Sequence, residues 1–379
     1  MDQWKRHAQQ LAATATHPTS RWRQPILTVP RHLLVPRWWQ QPPGTQRWEL
    51  RDGPADPPAW LQAAYSDRTL VTQLGPVHAD HAQPDQHPTG RPTSSSTKPS
   101  LTVRLLRHLL LDDHSEVLEV GTGSGYGAAL LARRLGDHQV TSIDVDPYLT
   151  KTATQRLDTI SLHPHLLTAD ATSPHPGSYD RILSTVAVRP IPPSWLQALR
   201  PGGRLVTTIS HMPIIITADK TADGGATGHV EWDRAGFMET RSGPDYPADP
   251  YQRHPDLLDP DGEATTGRYP VIDVKEAWEL WAMLEVLAPG IHHRYQQSDD
   301  GRRTAWMVHP DGSWARATAP DDAQPTVHQG GPRRLWDLLD QARDHWLSHG
   351  SLPVYGAKLT ITPDGTIHLT RGRWQATIT

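Results

Sequence analysis

A glycine-rich turn, Glu119-Val-Gly-Thr-Gly-Ser-Gly125, constrains the fold of this chain more than any other feature. It follows the short apolar run Val117-Leu-Glu-Val120 and opens into residues 128–135, an Ala/Leu/Arg segment of strong helix formers. Glycines at such a junction allow a sharp strand-to-helix reversal and a close backbone approach to a ligand. The alternation then repeats. Residues 140–144 predict a second strand and 148–157 a second helix, while 166–170 and 179–185 predict a third and a fourth strand. Residues 194–199 read as a helix stopped by Arg200-Pro-Gly-Gly203, and 204–209 as a fifth strand. Strands and helices alternating at this spacing predict an α/β fold with a doubly wound parallel sheet.

Two carboxylates sharpen what the turn can bind. Asp144 ends the second predicted strand about 20 residues on, where a carboxylate can take both hydroxyls of a ribose. Asp170 ends the third, where it can accept from an adenine amino group. Taken singly, either acid could merely cap a strand end; in order, behind the glycine turn, they point to a nucleoside. The turn lacks the Gly-x-Gly-x-x-Gly spacing suited to a pyrophosphate. An adenosyl group without phosphates is therefore expected, which is S-adenosylmethionine on a Rossmann-like core.

Outside this core the signal is weaker. Residues 40–58 and 75–98 are rich in Pro, Gln, Gly and Asp and read as loops, with 59–74 a short helix or strand between them. Ser100 is a plausible N-cap for a helix carrying Leu101, Leu105, Leu106 and Leu109. Beyond residue 217 the alternation loosens. A polar loop over 241–270 precedes amphipathic helices at 273–287 and 334–348, and a hairpin is expected around Pro363-Asp-Gly365. The expected organisation is an N-terminal extension (1–99), a cofactor-binding core (100–216) and an α+β C-terminal appendage (217–379) that recognises a peptide. The absence of Cys excludes disulfides, thiolate zinc sites and a cysteine nucleophile. With 37 Lys plus Arg against 41 Asp plus Glu, a net charge of −4 disfavours nucleic acid as a partner. No segment approaches the roughly 20 apolar residues of a membrane span, and the first residues carry no signal-peptide pattern. A cytoplasmic protein is expected.

The motifs resemble those of a known family. Val117-Leu-Glu-Val-Gly-Thr-Gly-Ser-Gly-Tyr126 is similar to the first motif of the protein-L-isoaspartate O-methyltransferases. Tyr179-Asp-Arg-Ile-Leu183 with Thr185, Ala187 and Ile191-Pro192, and Leu199-Arg-Pro-Gly-Gly-Arg-Leu-Val206, resemble later ones. Upstream, Val29-Pro-Arg-His32, Leu34-Val-Pro36, Ala64-Tyr65 and Asp67 resemble the family's N-terminal segment. The likeness runs over roughly residues 25–215. It implies a cofactor site of Glu119, Gly121, Thr122, Gly123, Ser124, Gly125, Asp144, Val145, Asp170, Ala171 and Thr185, with S-adenosylhomocysteine as product. Thr97-Lys-Pro99 stands where the family carries a Ser-x-Pro signature whose hydroxyl lies near the methyl donor and the substrate carboxylate. Thr97 is thus the expected positioning group, with Ser96 and Ser95 as alternatives; Tyr65, Asp67 and Phe237 are expected to touch substrate. The bland reading of this run is that it caps the following helix.

The run Ser94–Ser100, the segment Gly236-Phe-Met-Glu-Thr-Arg241, the helix with Leu335-Trp-Asp337 and Trp346, and the long C-terminal third resemble one branch of that family. Its members accompany ATP-grasp enzymes that install side-chain ester crosslinks in precursor peptides. The resemblance implies methylation of an Asp carboxylate in a modified, ribosomally made precursor (graspetide biosynthesis), leading to an aspartimide. The alternatives are isoaspartyl repair of damaged proteins and a non-catalytic peptide-binding scaffold. A carboxylate is already ionised near neutral pH, with a pKa of about 3.9 for Asp, so the transfer needs no general base. Alignment and exclusion of water suffice, and hydroxyls suit orienting the anion. His78, His81 and His87 fall in one loop without strand or helix scaffolding, and no metal site is expected there.

Overall fold

The computed structural model describes residues 3–45, 47–174, 177–241, 246 and 264–379. Its centre is the predicted alternation: β6 (Val117–Val120), α6 (Tyr126–Leu135), β7 (Val140–Asp144), α7 (Pro147–Asp158), β8 (His165–Thr168), β9 (Tyr179–Val188), α8 (Pro193–Ala198) and β10 (Leu199–Ile209). These five strands pair in parallel in the order β10-β9-β6-β7-β8. The chain therefore leaves β6 toward one edge and returns through β9 toward the other. That makes the β6/β9 boundary the switch point, outside whose carboxyl ends ligands bind in such sheets. All four residues of β6 are buried, as a strand covered on both faces requires.

The same sheet continues past the predicted core. It runs on through β11 (Ile215–Lys220), β12 (Ala226–Val230), β18 (Lys358–Ile361), β19 (Ile367–Arg371) and β20 (Trp374–Ile378), making ten strands among the described residues. The boundary expected at residue 216 falls inside β11, which pairs antiparallel with β10 from Arg204↔Asp219 to Thr208↔Ile215. The expected hairpin forms as β18 and β19. What stands apart from that sheet is an antiparallel one, β13 (Ala264–Thr266), β14 (His292–Gln297), β15 (Arg302–Val308), β16 (Trp314–Pro320) and β17 (Thr326–Gly330), with α9 (Trp278–Leu287) and α10 (Leu335–Ser348). Helix α9 begins later than residue 273, the position its apolar pattern suggested.

The N-terminal segment is more ordered than its composition suggested. Helices α1 (Gln3–Ala15), α2 (Arg23–Thr28) and α3 (Arg31–Leu34) precede a small sheet of β1 (Arg37–Gln40), β2 (Glu49–Asp52), β3 (Leu70–Leu74), β4 (Val77–His78) and β5 (Pro92–Ser96). Residues 59–74 supply both candidates, α4 (Pro57–Ala64) and β3. The strand β5 overturns the loop reading of residues 75–98: it pairs with β3 through Leu70↔Ser96, Val71↔Ser95 and Gln73↔Ser94. A Ser run has little strand propensity of its own; its pairing partner and buried hydrogen bonds hold it. Helix α5 (Pro99–His108) follows directly. No helix of the described residues is long and apolar enough to cross a membrane.

Candidate active site

The glycine turn leaves β6 at the switch point and folds over a solvent-open cleft of about 900 Å³. Gly121 has φ +99°, and a Cβ there would sit 2.7 Å from the Thr185 Oγ1 of β9. Gly123 has φ +50°, and its Cβ would meet the Ser95 carbonyl at 3.1 Å. Left-handed backbone and close approach together require glycine at both positions. Thr185 Oγ1 donates to the Gly121 carbonyl at 2.9 Å, stitching the turn to β9. Beneath the turn, Ser142 Oγ donates to Glu119 Oε2 at 2.7 Å and lies 2.7 Å from Thr122 Oγ1. Complete burial pushes the Glu119 carboxyl up to about 8.

Asp144 closes the cleft from the end of β7. Its Oδ2 accepts from the Gly123 amide at 2.9 Å and its Oδ1 from the Asp146 amide at 3.1 Å. Burial raises its pKa, against the pull of those two amides. Asp170 lines the cleft beyond β8 and is exposed, with Oδ1 accepting from the Thr172 amide at 2.8 Å. Glu119, Gly121, Thr122, Gly123, Ser124, Val145, Ala171 and Thr185 line it as well. Gly125 does not. It caps α6 at φ +80° and packs toward Ala153, so its role is to turn the chain. Of the described lining residues Arg241 alone is basic, against Glu119, Asp144, Asp170 and Glu239. That set of acceptors suits hydroxyls and amines and repels phosphates. The residues present therefore fit an adenosyl sulfonium, with Asp144 and the glycine turn on one side of the cleft.

The Ser/Thr run divides by what each residue meets. Ser95 and Thr97 line the cleft. Ser96 does not: it is 1% exposed and its Oγ accepts from Arg31 Nε at 3.3 Å on the other side of β5. Ser94 lines the cleft but is tied to Thr72 by a 3.0 Å bond. None of these side chains caps α5, so the capping reading fails for the run. Asp67 does that work instead, accepting from the Ser100 amide at 2.8 Å and pairing with Lys98 at 3.4 Å. Ser100 therefore lies inside the helix and is not its N-cap.

Arg31 organises this wall. It is fully buried, and its guanidinium donates to the carbonyls of Ala64, Ser66, Arg68, Ser96 and Thr97 at 2.7–3.3 Å. Burial lowers its pKa to about 10. Two of those carbonyls belong to the Ser/Thr run, so Arg31 sets how Thr97 is presented. Tyr65, expected at the substrate, is instead 5% exposed, its hydroxyl 2.8 Å from His32 Nδ1. Asp67 and Phe237 also fall outside the cleft lining; Phe237 packs on the core formed by the N-terminal helices and α6. His78 and His81 lie against the Tyr148 ring, and His78 Nε2 is 3.2 Å from Asp146. The sequence reading missed the strap just past Phe237. Met238, Glu239, Thr240 and Arg241 line the cleft, held by Ala187 of β9 through a 2.8 Å bond to the Met238 carbonyl and a 3.0 Å bond from the Thr240 amide. The sequence marks Gly236–Arg241 only by resemblance, because nothing local shows which element it meets.

Comparison with known proteins places this geometry. A family model described as protein-L-isoaspartate(D-aspartate) O-methyltransferase matches residues 69–232. A protein-L-isoaspartate O-methyltransferase of Anaeromyxobacter dehalogenans is 32% identical over 175 residues, 44% of this chain and 74% of that protein. A second, from Anaeromyxobacter sp., is 36% identical over 135 residues, 34% of this chain and 63% of that protein. A solved structure titled protein-L-isoaspartate O-methyltransferase shares the fold over 97% of this chain and 99% of its own, with a TM-score of 0.52 at 18% identity. The C-terminal third thus has a counterpart in the fold of that protein. With the glycine turn, the strand-end acids and these relatives, the chain belongs to the protein-L-isoaspartate O-methyltransferase family of S-adenosylmethionine-dependent protein carboxyl methyltransferases.

Proposed function

We propose that the chain methylates the side-chain carboxylate of an Asp residue in a ribosomally made precursor peptide already crosslinked by an ATP-grasp ligase. One observation carries the reading. The strap Met238–Arg241 lines the cleft yet lies beyond residue 232, where the match to the family model ends. Part of the substrate-side wall is therefore built from sequence outside the matched region, beside Ser95 and Thr97 within it. The resemblance of Ser94–Ser100 and Gly236–Arg241 to the peptide-maturation branch supports the same reading.

Bound in the cleft, S-adenosylmethionine supplies an electrophilic methyl group. The glycine turn and Asp144 orient the nucleoside, Thr97 donates a hydrogen bond to the substrate carboxylate, and the strap excludes water. The carboxylate oxygen forms the new bond to carbon; the pair of the broken carbon–sulfur bond stays on sulfur. No proton moves in this step. In the ester product the following backbone amide nitrogen attacks the carbonyl carbon, and methanol departs with the amide proton, leaving a succinimide. This region of the cleft and the C-terminal appendage expected over 217–379 serve peptide recognition.

The second reading, repair of isoaspartyl residues, is favoured by the near-complete match in fold to a solved protein of that title. Mass spectrometry separates the two. The crosslinked precursor should gain a methyl group and then lose methanol, a net loss of one water, while an isoaspartyl test peptide stays unchanged. Methylation of the test peptide with no change in the precursor would establish repair instead.

A further inference from the structure

On the far side of α5 from the methyl-transfer cleft lies an open groove of about 1610 Å³ between that helix and the α1–α2 connection. We infer that it docks an acidic stretch of the peptide substrate, several residues from the methylated carboxylate. The inference rests on the peptide-substrate reading above.

The groove is strongly basic in a chain whose net charge is −4. Arg21, Arg104, Arg107, Arg134 and Arg204 line it with one carboxylate, Asp233. Three of these arginines are neutralised. Arg104 meets Asp233 at 3.3 Å, Arg134 meets Asp113 at 2.5 Å, and Arg204 reaches both oxygens of Asp219 at 2.8 Å. Arg21 and Arg107 are exposed; Arg107 makes no ion pair among the described residues, and Arg21 contributes only its field at Asp113. Two unneutralised guanidiniums facing one groove suit carboxylates, which they can take bidentately.

The floor is apolar. Trp22, Val103 and Leu106 are buried beneath the arginines, and Leu110 stands at the rim, 63% exposed. A groove with a hydrophobic floor and a cationic rim fits a peptide carrying both kinds of side chain. An adjoining depression shares Arg104 and Arg107 and extends to Ser100, three positions from Thr97. From Pro99 to Arg107 the helical rise spans about 12 Å; with Thr97 two residues earlier, that corresponds to roughly five residues of extended peptide. The acids recognised therefore lie about that far from the target.

A fluorescein-labelled oligoglutamate peptide tests the groove directly by fluorescence anisotropy on the full chain. It should bind at low ionic strength and weaken with added salt. Arg21→Glu/Arg107→Glu should weaken binding about tenfold or more, whereas Arg6→Glu/Arg302→Glu, with the same change in net charge, should alter it by less than about twofold. Calorimetric binding of S-adenosylhomocysteine should be equal in both variants, showing that each is folded. No binding to the wild type, equal losses in the two double variants, or tighter binding of duplex DNA than of oligoglutamate would overturn the inference. Because the measurement needs no methyl transfer, groove-dependent binding together with an unmodified precursor would refute the precursor reading alone.

Discussion

Replacing Arg31 should uncouple cofactor binding from turnover. The side chain touches neither the glycine turn nor Asp144, yet its guanidinium donates to five carbonyls and to Ser96 Oγ. At about 1.5 kcal/mol for each bond to a charged group, the gross loss in Arg31→Met is on the order of 9 kcal/mol. Relief of the burial that lowers its pKa to about 10 returns roughly 3 kcal/mol. Relaxation and non-additivity reduce the remainder to about 3–5 kcal/mol, high for one substitution. In a chain of this size that lowers the Tm by roughly 4–6 °C. Releasing the Thr97 carbonyl should misplace its hydroxyl and cut kcat by about a hundredfold, with S-adenosylhomocysteine affinity within about threefold of wild type. Arg31→Lys keeps the charge but offers three donors to six acceptors, and should fall between. Differential scanning fluorimetry, calorimetry and single-turnover methyl transfer read the three quantities. A kcat within twofold of wild type, or a parallel collapse of kcat and cofactor affinity, would refute the positioning role.

Because Thr97 lines the cleft and Ser96 meets Arg31, Thr97→Val and Ser96→Ala should be unequal. The first should lower turnover roughly ten- to a hundredfold with cofactor affinity unchanged, and the second should cost only about 1 kcal/mol of stability; a turnover defect confined to Ser96→Ala would reverse the assignment. Gly121→Ala puts a methyl 2.7 Å from Thr185 Oγ1 at φ +99°, so S-adenosylhomocysteine should bind about tenfold more weakly or worse by calorimetry. Glu119 carries a pH signature. Its carboxyl is held at about 8 in the folded chain, against about 4.3 when unfolded. The folded state keeps its proton longer, so this contribution to stability is full below about pH 4.3, falls as pH rises, and is gone above about 8. The Tm of Glu119→Gln relative to wild type should therefore climb between pH 5 and 8; a constant difference would place the carboxyl elsewhere.

Much of the core was legible because its signals are local. Each predicted parallel strand appears within a few residues, and the glycine turn, Asp144 and Asp170 converge on one cleft as expected. The substrate side was harder. Tyr65, Asp67, Ser96 and Phe237 sit near the predicted place in sequence, but each is turned to a structural partner: His32, the Ser100 amide, Arg31 and the N-terminal core. Composition misled at β5, where a polar run is a paired strand, and at residue 217, where the sheet continues.

By itself, then, the sequence determined the nucleotide half of this protein. A φ above zero at Gly121 and Gly123, and the reach of a strand-end carboxylate, are set within a few bonds of the residues concerned. Only the tertiary structure decided the substrate half. Which hydroxyl faces the cleft depends on the register of β5 against β3, on a buried Arg31 from 65 positions upstream of Ser96, and on a strap beyond Phe237 bonded to β9. Those are long-range contacts, whose partners no local pattern of side chains identifies.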